Sequence, residues 1–86
     1  MYLYLGGGRS IDAAELIGIF DMDSATIGQP TRAFLAAAQR EGRISEALDP
    51  GDIPRAFTVT ADGAVTLTET SAGQLSYRLK NPVRKR

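Results

Sequence analysis

Eighty-six residues lead to the expectation of one domain and one small core, because a chain of this size buries roughly 60–68% of the surface it exposes when unfolded; within this length no room for a second catalytic domain is expected. Neither cysteine nor histidine occurs, which removes disulfides, thiolate zinc sites, imidazole ligands and the commonest general base. Ten basic residues cancel ten acidic ones, and no stretch approaches the ~20 apolar residues that span a membrane.

Tyr2 to Leu5 alternates aromatic and leucine and predicts a strand. The glycines of "LGGGRS" follow. A phosphate loop needs glycines that end a strand and open a helix, and the P-loop adds Gly-Lys-Ser/Thr. Here the lysine is missing and a few polar residues lead into another strand, so the stretch reads as a flexible turn. Leu16 to Phe20, "LIGIF", is a continuous apolar run and predicts a strand buried on both faces. It runs into Asp21-Met22-Asp23, which resembles the nucleophile motif of haloacid-dehalogenase-type phosphatases. That family continues with threonine or valine two residues after the second aspartate, where this chain has Ala25. The chain is also too short for the remaining motifs, and a calcium loop lacks its third acid and central glycine. Asp21 and Asp23 therefore read as solvating a strand end, and no enzyme, cofactor or metal is expected.

Gln29 to Gly42 is the main helix, with Pro30 at its first position, alanines in its interior and Gly42 just past its end. Phe34, Leu35 and Ala38 gather on one side, while Arg32, Arg40 and Arg43 fall within about 80° of each other on another. Asp49-Pro50-Gly51-Asp52 is a turn cluster that breaks a short extended segment. "RAFTVTADGAVTLT" alternates on each side of Asp62-Gly63 and predicts a hairpin, with Phe57, Val59, Val65 and Leu67 on one face and threonines on the other. Thr70 to Leu79 closes the domain as a short helix, with Ser71 and Gln74 spaced as a capping box and Ala72, Leu75 and Leu79 on one stripe. The elements predict an α+β domain over residues 1–79, built on a small, mostly antiparallel sheet of about four to five strands. Residues 80–86 read as a flexible basic tail.

Charge is distributed unevenly. Residues 1–31 hold one arginine against four acids, whereas Arg78, Lys80, Arg84, Lys85 and Arg86 crowd the end without an acid. A basic tail can hold phosphate or an acidic partner. With Arg55 at the mouth of the hairpin and Arg32, Arg40 and Arg43 on the helix, the candidate DNA-contacting residues are Arg55, Arg32, Arg40, Arg43, Lys80, Arg84, Lys85 and Arg86. The N-terminus shows no basic n-region or apolar h-region, so the expected location is the cytoplasm.

The succession "MYLYLGGG", "IDAAELIGIFD", a proline-started helix, "PRAFTVT" and "LSYRL" resembles the bacterial extracellular-matrix regulators of the RemA/RemB type. "MYLYLG" and "IGIFD" bring it nearest to the RemB-like branch. The resemblance spans Met1 to about Leu79. It implies a fold similar to LytTR-type DNA-binding domains, a ring-like homo-oligomer, and a part in transcription regulation of biofilm and matrix genes through duplex DNA. RemA-type sequences carry two adjacent arginines before the hairpin strand, where this chain has Asp52 and Ile53, and an arginine before the second strand, where it has Glu15. Arg55 alone matches a basic position of that loop. A ring-forming module that has exchanged DNA for a protein partner is therefore the alternative expectation.

Overall fold

A computed structural model describes residues 1–25 and 28–81. In chain order these form strands β1 (Tyr2–Gly6) and β2 (Arg9–Asp12), a 3-10 turn at Ala13–Glu15, strand β3 (Leu16–Asp21), the single turn α1 (Met22–Ala25) and helix α2 (Gln29–Arg40). Strands β4 (Ile44–Ala47), β5 (Ala56–Thr60) and β6 (Val65–Thr68) and helix α3 (Ala72–Lys80) complete the α+β fold. The strands divide into the antiparallel pair β1-β2 and a four-stranded sheet of order β3-β5-β6-β4, antiparallel except where β4 runs parallel to β6.

The hairpin β5-β6 occupies the centre of that sheet, with Phe57 opposite Leu67 and Val59 opposite Val65. Its turn is closed by Gly63 N–H donating to the Thr60 carbonyl at 2.9 Å, with Gly63 at φ +85°. Both faces of the hairpin are covered. Phe57, Val59 and Val65 form one core with Ala38 of α2, joined by Leu35, Ile44, Leu67 and Met22. On the opposite face Ala47 and Ala56 form a second core with Leu3 and Leu5 of β1 and Leu75 of α3, joined by Ile11, Leu16, Ile19, Ala72 and Leu79. The molecule is thus layered: α2, then the sheet, then β1-β2 and α3 side by side. The threonine face of the hairpin lies on the second core, so Thr58, Thr60, Thr66 and Thr68 are all buried.

Local chemistry explains the element ends. The last turn of α2 closes by Gly42 N–H donating to Gln39 O at 3.1 Å and Arg43 N–H to Ala38 O at 2.9 Å, with Gly42 left-handed at φ +70°. This paired wrap satisfies carbonyls that the helix leaves open. Ser71 caps α3, its Oγ accepting from Gln74 N–H at 3.2 Å, and Leu75 of that helix is fully buried. Among the described residues no helix is long and apolar enough to cross a membrane.

Two expectations need correction. Leu16 to Phe20 is not buried on both faces: β3 lies at the sheet's edge, and a register shift between Leu16 and Gly18 turns Ile17 outward, 67% exposed. The run also has a partner upstream that its composition hides. Arg9 to Asp12, read as polar residues after a turn, is the strand that pairs with β1.

Candidate functional site

The basic candidates fall into three places. Arg32 and Arg40 are exposed on α2, the first with its guanidinium donating to Gln29 Oε1 and the second in the last helical turn, where a cation suits the helix C-terminus. Arg55 is exposed at the end of the sheet. Its backbone bridges elements, its N–H donating to Thr68 O at 2.8 Å while its carbonyl accepts from Met22 N–H at 3.0 Å. Lys80 is exposed in the last turn of α3, on the opposite layer from α2. Arg84, Lys85 and Arg86 lie outside the described residues.

Arg43 does not share the helix face assigned to it. The α-helix ends at Arg40, and beyond left-handed Gly42 the helical spacing no longer applies. Arg43 instead ties the end of α2 to the hairpin turn: Nε donates to Glu41 Oε1 at 2.7 Å, Nη1 to the Gly63 carbonyl at 2.5 Å, and the guanidinium stands 5.7 Å from the Phe34 ring centroid. Arg78 is committed in the same manner. Its Nη1 donates to the Tyr4 carbonyl at 2.9 Å and its guanidinium lies 5.7 Å from the Tyr4 ring centroid. At the positions where the resemblance implies arginines, Asp52 Oδ2 accepts from Asp49 N–H at 2.9 Å, Ile53 is exposed, and Glu15 is exposed.

A second feature is apolar. Ile17 and Phe20 of β3, Thr31 and Phe34 of α2, and Phe57 and Val59 of β5 line a groove of about 300 Å³. It exists because α2 covers only part of the sheet, leaving the edge strand's outward residues half-wrapped. Phe20 stacks on Phe57, with ring centroids 5.1 Å apart and planes 22° apart. Gly18 is what admits that ring, since a Cβ there would meet Phe20 Cε2 at 2.7 Å. The run "LIGIF" announced apolar surface but not its exposure. A glycine between β-branched residues was the available signal, because it marks a bulge or a close approach.

On the opposite layer, β1 turns Leu3 and Leu5 inward and Tyr2 and Tyr4 outward, 73% and 51% exposed, and Tyr77 of α3 is 62% exposed. The glycines form the turn between β1 and β2, with Gly7 and Gly8 left-handed at φ +57° and +75°. They open no helix. Asp21 Oδ1 accepts from Asp23 N–H at 2.8 Å, capping the passage from β3 into α1. Among the described residues no three His, Cys, Asp or Glu side chains gather into a group that would hold a metal.

At the turn of β5-β6, Thr60 Oγ1 donates to Asp62 Oδ1 at 2.7 Å and Ala64 N–H donates to the same oxygen at 3.0 Å. These donors, the hydroxyl foremost, hold the Asp62 carboxyl below the ordinary aspartate range. Asp62 thus stabilises the turn. Compared with known proteins, the chain matches no family model and no curated protein.

Proposed function

We propose that this chain is a homo-oligomeric regulatory protein of the extracellular-matrix-regulator type, whose assembled subunits meet duplex DNA through phosphate contacts. The observation that carries the reading is the pair of apolar surfaces on its two outer layers: the groove of Ile17, Phe20 and Phe34, and the tyrosines Tyr2, Tyr4 and Tyr77. Large exposed apolar patches mark sites of association. Assembly also bears on DNA, because exposed Arg32, Arg40, Arg55 and Lys80 are dispersed over one subunit. Repetition would multiply these weak, sequence-independent contacts into useful affinity.

A second reading, a module that recruits a protein partner instead of DNA, is favoured by a specific observation. Arg43 and Arg78 are engaged inside the subunit, and Glu15, Asp52 and Ile53 stand where the resemblance implies arginines. Gel-shift titrations of the full-length protein on several unrelated duplexes, across salt, decide between the two. The DNA reading expects a shift that weakens steeply with salt and varies little with sequence. Absence of any shift at tens of micromolar in low salt would leave the protein-partner reading.

A further inference from the structure

The hairpin turn carries an Asp-Gly bond, the dipeptide in which a side-chain carboxyl stands next to a main-chain N–H that no side chain shields. Its characteristic reaction is internal. The Gly63 nitrogen attacks Asp62 Cγ, the N–H proton and the carboxyl hydroxyl leave together as water, and the ring that forms is a succinimide. Water then opens the ring. Breaking the bond from nitrogen to Cγ restores aspartate, whereas breaking the bond to the main-chain carbonyl leaves the chain running through Cγ as an isoaspartyl residue. Water is the only co-reactant.

Three features of the folded turn oppose the first step. The nucleophile is engaged, since Gly63 N–H donates to the Thr60 carbonyl at 2.9 Å. The electrophile is anchored: Asp62 Oδ1 accepts from Thr60 Oγ1 at 2.7 Å and from Ala64 N–H at 3.0 Å, which holds the carboxyl toward those donors and away from rotation onto the Gly63 nitrogen. The reactive form is scarce, because ring closure needs the carboxylic acid, and the same donors favour the ionised carboxylate. The main chain is pinned on both sides of the bond as well, with Thr60 N–H donating to the Ala64 carbonyl at 3.1 Å and Arg43 Nη1 to the Gly63 carbonyl at 2.5 Å.

We infer that Asp62-Gly63 is a latent isoaspartyl site, closed while β5-β6 is folded and reactive once the hairpin opens, and that the modified turn no longer closes as the native one does. The second half follows from register. An isoaspartyl residue adds a methylene to the main chain inside the turn, whose length sets Val59 opposite Val65 and Phe57 opposite Leu67. Phe57, Val59 and Val65 belong to the core under α2, so a lengthened turn is felt at the centre of the sheet. The site therefore records excursions from the folded state, and refolding does not erase them.

Trypsin cuts after Arg55 and Arg78, and the fragment 56–78 contains Asp62 as its single aspartate and no asparagine, so isoaspartate found in it belongs to position 62. The full-length chain is kept for days at neutral pH, folded in buffer or unfolded in urea, and the aspartyl and isoaspartyl forms of the fragment are separated by chromatography. The folded chain should isomerise at least about tenfold more slowly, since hydrogen bonds must break before attack. Thr60→Val removes the hydroxyl donor and keeps the branched shape; it should raise the folded rate several-fold and leave the rate in urea unchanged. Should circular dichroism find it unfolded, Arg43→Gln, which releases the Gly63 carbonyl, takes its place with the same expectation. The isoaspartyl chain purified from urea should melt at a lower temperature than the wild type. Equal folded and unfolded rates overturn the inference, as does a folded variant that isomerises at the wild-type rate, and so does an isoaspartyl chain that melts like the wild type.

Discussion

Gly7 is the residue at which the chain's opening glycines matter most. It is left-handed at φ +57°, and a Cβ there would come within 2.6 Å of the Ala47 backbone carbon. Gly7→Ala should therefore lose more than the roughly 1–2 kcal/mol of a left-handed non-glycine residue, because β4 must also give way; urea denaturation measures it. Thr58 presents the opposite case. Its hydroxyl is fully buried and lacks a hydrogen-bond partner among the described residues, while Thr68, on the same face, donates to the Leu5 carbonyl. Thr58→Val removes the unpaired hydroxyl at little change in shape and should stabilise the fold by about 1 kcal/mol, visible as a raised melting temperature. Asp62 links stability to pH. Its folded-state carboxyl is more acidic than that of the unfolded chain, so its contribution is complete above the unfolded pKa and is lost as pH falls through the lower folded one. The stability difference between wild type and Asp62→Asn should be constant at neutral pH and shrink below about pH 4, as urea melts across pH will show.

Among the elements, α3 is the one whose sequence and structure agree in most detail: Ser71 caps it, and Ala72, Leu75 and Leu79 face the core. Leu75 is wholly buried between β1 and the sheet. Leu75→Ala should cost about 2–5 kcal/mol and release α3 together with the β1-β2 pair, since both share that core. Hydrogen exchange should report the loss in both elements at once. Helix α2 shows where local arithmetic stops. Its proline, alanines and Gly42 specify start, interior and end, yet the helical spacing that aligned Arg43 with Arg32 and Arg40 runs beyond the last helical residue. Strand β2 escaped notice for a related reason: Arg-Ser-Ile-Asp carries no alternation, and its strand conformation comes from pairing with β1.

At the scale of the molecule, one sheet separates two cores, so each outer layer displays surface that the other does not influence. The groove and the tyrosines are consequences of that layering. The phosphate-contact reading makes a prediction at this scale. Arg55→Ala should leave the oligomer intact on a sizing column while weakening DNA binding several-fold per complex. The slope of log affinity against log salt should fall by roughly 0.9 for each phosphate contact that the assembly loses. An unchanged slope would remove Arg55 from the contact set.

The sequence by itself determined the hairpin about Asp62-Gly63, the extent of α2 and the cap and stripe of α3, because turn chemistry and side-chain period are written within a few neighbouring residues. Tertiary structure alone decided which strand became an edge, that both faces of the hairpin were covered, and which arginines were consumed. Strand order β3-β5-β6-β4 joins residues far apart in the chain, and no local period encodes it. A continuous apolar run such as Leu16 to Phe20 reads alike at a sheet's centre and at its edge; only the neighbours that α2 fails to supply leave Ile17 and Phe20 facing water. Arg43 and Arg78 look like their exposed counterparts until the fold carries Gly63 and Tyr4 to them.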